Sequence, residues 1–239
     1  MMIGAHATTY PLRSGVPDIA GVGRAGDLIA PEVFAVPAPL KGLFPHGGVA
    51  AGSVVACEGP AAWALAAAMV APAVDAGAWM LVIDVAAPHA CAVEPESLRE
   101  AGVALERVVR VVYDPSAGVH LADLLIAGLD GFGVVLLVDP GSLPGPAERR
   151  LRRRLADRGA LVVLVRPYVL GRRTPRGAST DALVATEVIG AEGIGTGWGK
   201  LSHRRVRAAS SGRRMHGVRH VEICLPIDDV SVDHAPLKQ

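Results

Sequence analysis

Aromatic residues are scarce in this chain, at 4% of its 239 residues. A core must therefore be assembled from Val, Ala and Leu, the residues that buried parallel strands favour. Cysteine is nearly absent: Cys57, Cys91 and Cys224 stand far apart with no CxxC spacing. That pattern excludes a disulfide framework and a cysteine-built zinc site, and points to a reducing, cytoplasmic setting. Met1-Met2-Ile3-Gly4-Ala5-His6 offers neither a basic nor an apolar leader region, so no signal peptide is expected. The Ala-rich segment Ala61 to Ala78 could pass for a membrane span, but Pro72 interrupts it. About a dozen residues lie between Pro60 and Pro72, against the roughly 20 of a membrane span, so no membrane association is predicted. No internal repeat, Gly-x-Ser-x-Gly elbow or paired Cys/His cluster is present, and His89 with Cys91 near Asp84 lacks a second ligand pair. No metal and no cofactor is expected.

The most informative absence is a lysine. Ser53-Val54-Val55-Ala56-Cys57-Glu58-Gly59-Pro60 reads as a buried strand entering a turn, followed by an Ala-rich helix. This is the setting of a phosphate-binding loop, in which Gly-Lys-Ser/Thr opens the helix. Gly59 and Pro60 stand at the turn, but Ala64, Leu65 and Ala66 fill the places of the lysine and the hydroxyl. Those groups would meet the β/γ-phosphates and Mg²⁺; a methyl or an isobutyl group does neither. A scaffold with its chemistry removed is expected, and so a protein that works by binding.

What is present is an alternation of strands and helices. Strands are predicted at Val54–Cys57, Trp79–Asp84, Val108–Val112, Val134–Asp139 and Ala160–Val165. Helices are predicted at 61–71, Glu96–Ala101, 117–128 and Ala147–Arg158. The alternation implies an α/β fold with a mostly parallel sheet covered on both faces. Beyond Pro167 the pattern shortens into Ala182–Ile189, Gly199–Arg207 and Val218–Leu225, an antiparallel extension of that sheet. Residues 1–40, rich in Pro and Gly, read as an extended arm that packs on the domain or a partner, or else as a loose terminus. Residues 41–225 form the core domain, and 226–239 a flexible tail that starts acidic at Asp228-Asp229.

Basic residues crowd the second half. Arg149, Arg150, Arg152, Arg153, Arg154 and Arg158 share one predicted helix, and Arg166, Arg172, Arg173, Arg176, Arg204 and Arg205 follow. Arg149/Arg153 and Arg150/Arg154 are like charges at i,i+4, which costs a few tenths of a kcal/mol each. Two readings stand: contact with DNA or an acidic protein, with the salt dependence of counterion release, or an ordinary solvated helix face. Aromatics for base stacking are nearly absent there, Tyr168 and Trp198 excepted. Trp63, at the start of the helix after Gly59-Pro60, either fills the vacated phosphate space or anchors a partner. Asp139, at a strand end before Pro140-Gly141-Ser142, reads as a turn former.

Together these segments resemble the RecA core. Gly42-Leu43-Phe44-Pro45-His46-Gly47-Gly48-Val49 resembles the turn leading into the RecA P-loop strand, and Glu58-Gly59-Pro60 its opening. Leu81-Val82-Ile83-Asp84 is similar to the next strand. Glu94-Pro95-Glu96-Ser97-Leu98 with Ala101-Gly102-Val103 resembles the helix and turn after it, and Val135-Leu136-Leu137-Val138-Asp139 the Walker B strand. The likeness covers roughly residues 40–225. It implies a RecA-like three-layer α-β-α core, in which the catalytic glutamate would stand at Ala86 and a polar sensor at Arg166-Pro167. So degenerate a RecA-like chain most resembles the actinobacterial ImuA-type proteins. The resemblance implies a non-catalytic adaptor of a DNA-damage-induced translesion synthesis complex. Its implied partners are an ImuB-like polymerase homologue, with RecA and an error-prone DnaE-type polymerase. The implied location is the cytoplasm, at the nucleoid when in complex. Two alternatives stand beside it: a DNA-binding RecA paralogue acting in recombination, and an atypical ATPase.

Overall fold

The computed structural model describes residues 32–85, 95–138, 145–167, 180–195, 198–213, 215 and 217–227. All of them lie in one compact unit that starts at Pro31. In chain order the strands are β1 (Val33–Ala35), β2 (Gly48–Ala50), β3 (Ser53–Gly59), β4 (Met80–Val85), β5 (Val108–Tyr113) and β6 (Val134–Val138). β7 (Leu161–Pro167), β8 (Ala182–Gly195), β9 (Trp198–Ser211) and β10 (Arg219–Leu225) complete the set. The helices are α1 (Ala62–Asp75), α2 (Pro95–Glu100), α3 (Leu121–Gly131) and α4 (Gly145–Arg158).

Eight strands form one sheet in the order β10-β9-β8-β3-β7-β6-β4-β5. The pairings from β8 through to β5 are parallel, while β8–β9 and β9–β10 are antiparallel. The protein is thus α/β with a mostly parallel mixed sheet; of the three runs expected to extend it antiparallel, β9 and β10 do so, whereas the first, in β8, pairs parallel with β3 and belongs to the parallel part. Alternate residues of the central strands serve two separate cores. Val55, Cys57, Val82, Leu136 and Val163 pack with α1 and Leu98 of α2, while Val54, Ala56, Ile83, Leu137 and Leu164 pack with residues of α3 and α4. Burial on both faces is why these strands read as unbroken apolar runs.

The alanines of α1 let it lie close to the sheet, and Leu65 through Ala71 are all buried. A helix apolar on every side is a buried helix. Pro72 does not end it, contrary to the expected boundary. The helix runs on to Asp75, and the Ala76 N–H closes the last turn on the Pro72 carbonyl. Pro72 gives up one backbone bond, offset by burial of Ala73 and Val74 beyond it. Among the described residues no helix is long and apolar enough to cross a membrane. In α3, Gly128 sits where a Cβ would lie 2.6 Å from Leu81 Cδ2, so its missing side chain lets α3 approach β4.

Residues 32–40, which the sequence assigns to the arm, are built into this unit. β1 pairs antiparallel with β2, and the 3₁₀ turn Ala38–Leu43 buries Leu40 and Leu43. That turn packs against β10 and β9. The buried Ser210 hydroxyl donates to the Leu43 carbonyl at 2.6 Å. The rest of the arm, residues 1–31, and the tail from 228 onward lie outside the described residues.

Candidate functional site

The turn between β3 and α1 is short. β3 ends at Gly59, only Pro60 and Ala61 intervene, and α1 begins at Ala62. The first helical bond, Leu65 N–H to Ala61 carbonyl, is 2.9 Å. Thr186 of β8 closes the turn from the side. Its hydroxyl accepts from the Ala61 N–H at 3.2 Å and donates to the Glu58 carbonyl at 2.8 Å. An amide at a helix start, the kind that would face an anion, is thereby already satisfied. Gly59 takes φ +106°, and a Cβ there would run into the Thr186 carbonyl and hydroxyl oxygens. Glycine is required by both the backbone angle and the approach of β8.

The predicted loop positions around this turn are hydrocarbon. Leu65 and Ala66 are buried in the core with exposures of 1% and 0%, and Ala64 is half-buried. Cys57, on β3 before the turn, is a fully buried thiol that burial pushes up to about 12, with the charge of Glu58 adding to the shift. It is a packing residue and not a nucleophile. Ala86, His89, Cys91 and Asp139 lie outside the described residues.

Two ion pairs stand at the carboxyl ends of the parallel strands, where open α/β sheets place ligands. Arg166 of β7 donates to Glu58 Oε1 at 2.8 Å and is itself 7% exposed. Its Nη2 has no hydrogen-bond partner among the described residues. Asp84 of β4, also buried, accepts from Arg110 of β5 at 2.7 Å. Each of these four charges thus meets an opposite one.

The arginines of α4 divide in two. Arg150 reaches Asp123 at 3.4 Å, Arg158 reaches Asp130 at 2.9 Å, and Arg154 bonds the same Asp130, all carboxylates of α3. The Asp130 carboxyl is held below its ordinary range, first by the Arg158 hydrogen bond and then by that from Arg154. Arg152 turns inward to Asp181 at 3.0 Å and toward Glu148 at 3.6 Å. Asp181 is buried and also accepts from the Val54 N–H at 2.9 Å, which ties α4 and the start of β8 to the start of β3. Arg149 and Arg153 are exposed and carry no ion pair among the described residues. Arg204 and Arg205 of β9 are exposed and point to opposite faces of the sheet; a Cβ on Gly190 would touch Arg205, while Arg204 lines a cleft. Arg172, Arg173 and Arg176 lie outside the described residues. The α4 arginines and the β9 pair therefore occupy different elements, and half-buried Arg152 is internal.

That cleft measures about 310 Å³ and lies between α1, α2 and the β9–β10 edge. Trp63, Ala64 and Ala68 form one wall, Ser97, Glu100 and Ala101 another, and Leu201, Arg204, Leu225 and Pro226 a third. Trp63 is half-buried, and its indole N–H donates to Ser97 Oγ at 2.8 Å, linking α1 to α2. Trp63 packs against the core and borders this cleft. Sequence reading missed Thr186, the Glu58–Arg166 pair and Asp181. Each acts across 108 or more positions of chain, and no local pattern signals such a contact.

This geometry defines an α/β protein on a mostly parallel mixed sheet, whose central strand–turn–helix crossing is stapled by a threonine. The chain belongs to the family described as MT3502 N-terminal domain, which matches residues 42–169. The match ends just after β7, so Thr186 and the β8–β10 extension lie beyond it. No curated protein matches the chain.

Proposed function

We propose that this protein is a non-catalytic, RecA-like adaptor of the ImuA type, supporting error-prone translesion synthesis through contacts with an ImuB-like polymerase homologue. The observation that carries the non-catalytic part is the Thr186 staple. It engages the Ala61 amide and the Glu58 carbonyl of a two-residue turn, while Leu65 and Ala66 are sealed in the core. A nucleotide triphosphate would find no lysine, no free loop amide at Ala61 and no hydroxyl at the helix start. The RecA-like part is supported by β3 lying inside the parallel sheet, by helices on both of its faces, and by the antiparallel strands added at one edge.

Titration calorimetry with ATP and Mg²⁺ tests the first part: flat heats are expected, and stoichiometric binding would restore the atypical ATPase. Affinity purification from DNA-damaged cells with mass spectrometry tests the second, with an ImuB-like protein as the expected prey; its absence would remove the adaptor reading. One observation favours the DNA-binding alternative, namely that Arg149 and Arg153, on an exposed helix face, have no ion pair among the described residues. If they contact phosphates, affinity for single-stranded DNA falls with salt and with Arg149→Ala plus Arg153→Ala; unchanged affinity in that variant removes the alternative.

A further inference from the structure

The cleft beside Trp63, at about 310 Å³, stands at the lower end of the roughly 300–1,000 Å³ of small-molecule sites. Its lining is mixed. Trp63, Leu201 and Leu225 give it an apolar part, while Ser97, Ser202, Glu100 and Arg204 supply polar groups. Glu100 closes α2 and Arg204 belongs to β9, so the two charges come from different walls. Both residues are exposed, and neither makes an ion pair with the described residues, each other included. The strand is deformed where it borders the cleft. Consecutive residues of a regular strand point to opposite faces, yet Leu201 and Ser202 both line it. The β8–β9 register shifts between Glu192 and Ile194, opposite this stretch. Gly193 there takes φ +84°, and a Cβ on it would run into the Lys200 carbonyl and the Ser202 hydroxyl. Such irregularities re-aim side chains beside binding sites. On α1, the 2.8 Å bond from the indole N–H to Ser97 Oγ fixes Trp63 against α2.

We infer that this cleft binds a free apolar α-amino acid. Arg204 takes its carboxylate, Glu100 its ammonium group, and Trp63 with Leu201 and Leu225 its side chain. A guanidinium and a carboxylate on separate walls match the two opposite charges that a free amino acid carries on one carbon. A residue inside a peptide carries neither charge, and a chain end carries only one. The inference goes beyond the adaptor reading and needs nothing from it, because ATP titration and affinity purification test that reading by other means.

Titration calorimetry of the full chain with L-phenylalanine and L-leucine is the test. Saturable binding with a Kd below about 1 mM is expected. Glycine, which lacks the apolar side chain, should bind about tenfold more weakly or worse. Arg204→Gln and Glu100→Gln should each weaken L-phenylalanine binding by about tenfold or more, through loss of a charged hydrogen-bond partner. Both positions are exposed, so melting temperatures without ligand should match the parent's. Blocking either charge of the ligand, as in N-acetyl-L-phenylalanine or L-phenylalaninamide, should weaken binding to the same degree. Flat heats with both apolar amino acids overturn the inference, and so does equal binding by the parent and the two variants. Undiminished binding of the N-acetyl compound would assign the cleft to the carboxyl end of a peptide, and of the amide to an amino end; either result overturns it.

Discussion

Thr186 is the residue on which the turn after β3 depends. Its hydroxyl satisfies a buried donor and an acceptor at once, and valine has the same shape without either bond. Thr186→Val should therefore lower stability by about 1–3 kcal/mol, the cost of leaving such groups unpaired, measured by urea denaturation. Nucleotide binding should not appear in that variant, because Leu65 and Ala66 remain in the core. Gly59 was legible as part of the turn between strand and helix. Thr186 was not, because its importance comes from the pairing of β8 with β3 at Cys57–Val184 and Glu58–Ala185, a register that no short window of sequence contains. Arg166 is similar. In sequence it is one arginine among many, and in the fold it is a buried partner of Glu58.

Helix α4 carries charge of two kinds. Its inward arginine holds Asp181, which also accepts from the Val54 N–H, so Asp181→Ala leaves that buried amide unpaired and should cost about 1–3 kcal/mol. Arg153→Ala, on the exposed face, should stay within about 0.5 kcal/mol. Urea denaturation of the two variants side by side separates the faces. The outer arginines meet α3 through Asp123 and Asp130. With its folded-state value depressed by Arg158 and Arg154, Asp130 contributes stability that is present above the ordinary carboxylate range and lost as pH falls through the depressed value. The difference in stability between the parent and Asp130→Asn should thus shrink from pH 7 to pH 3, as followed by denaturation at each pH; a constant difference would dissociate the α3–α4 contact from this carboxylate. The run of arginines was visible in the sequence. Their pairing was hidden because the neutralising carboxylates sit on a different helix, 24 to 28 positions away.

At the scale of the molecule, the unit extends into the segment that composition assigns to an arm. Leu40 is wholly buried beneath the 3₁₀ turn that covers β9 and β10. Leu40→Ala should lower stability by about 2–5 kcal/mol, whereas a loose arm would show no change on thermal or urea unfolding. Pro37 is extended and Pro39 sits in the turn itself, and such a proline-rich stretch reads locally as linker. The core it joins is assembled from β2, β9 and β10, distant in the chain. What the sequence by itself determined is the order of strands and helices and the double burial of the central strands. It also determined that no lysine stands at the start of α1. Those features are written in local periodicity and residue type, which act over a few positions. Only the tertiary structure decided that Thr186 closes the turn, that most α4 arginines are neutralised, and that a cleft opens beside Trp63 and Arg204. Each of these depends on strand order and register, where residues far apart in sequence meet and the energy of a side chain is set by its neighbours in space.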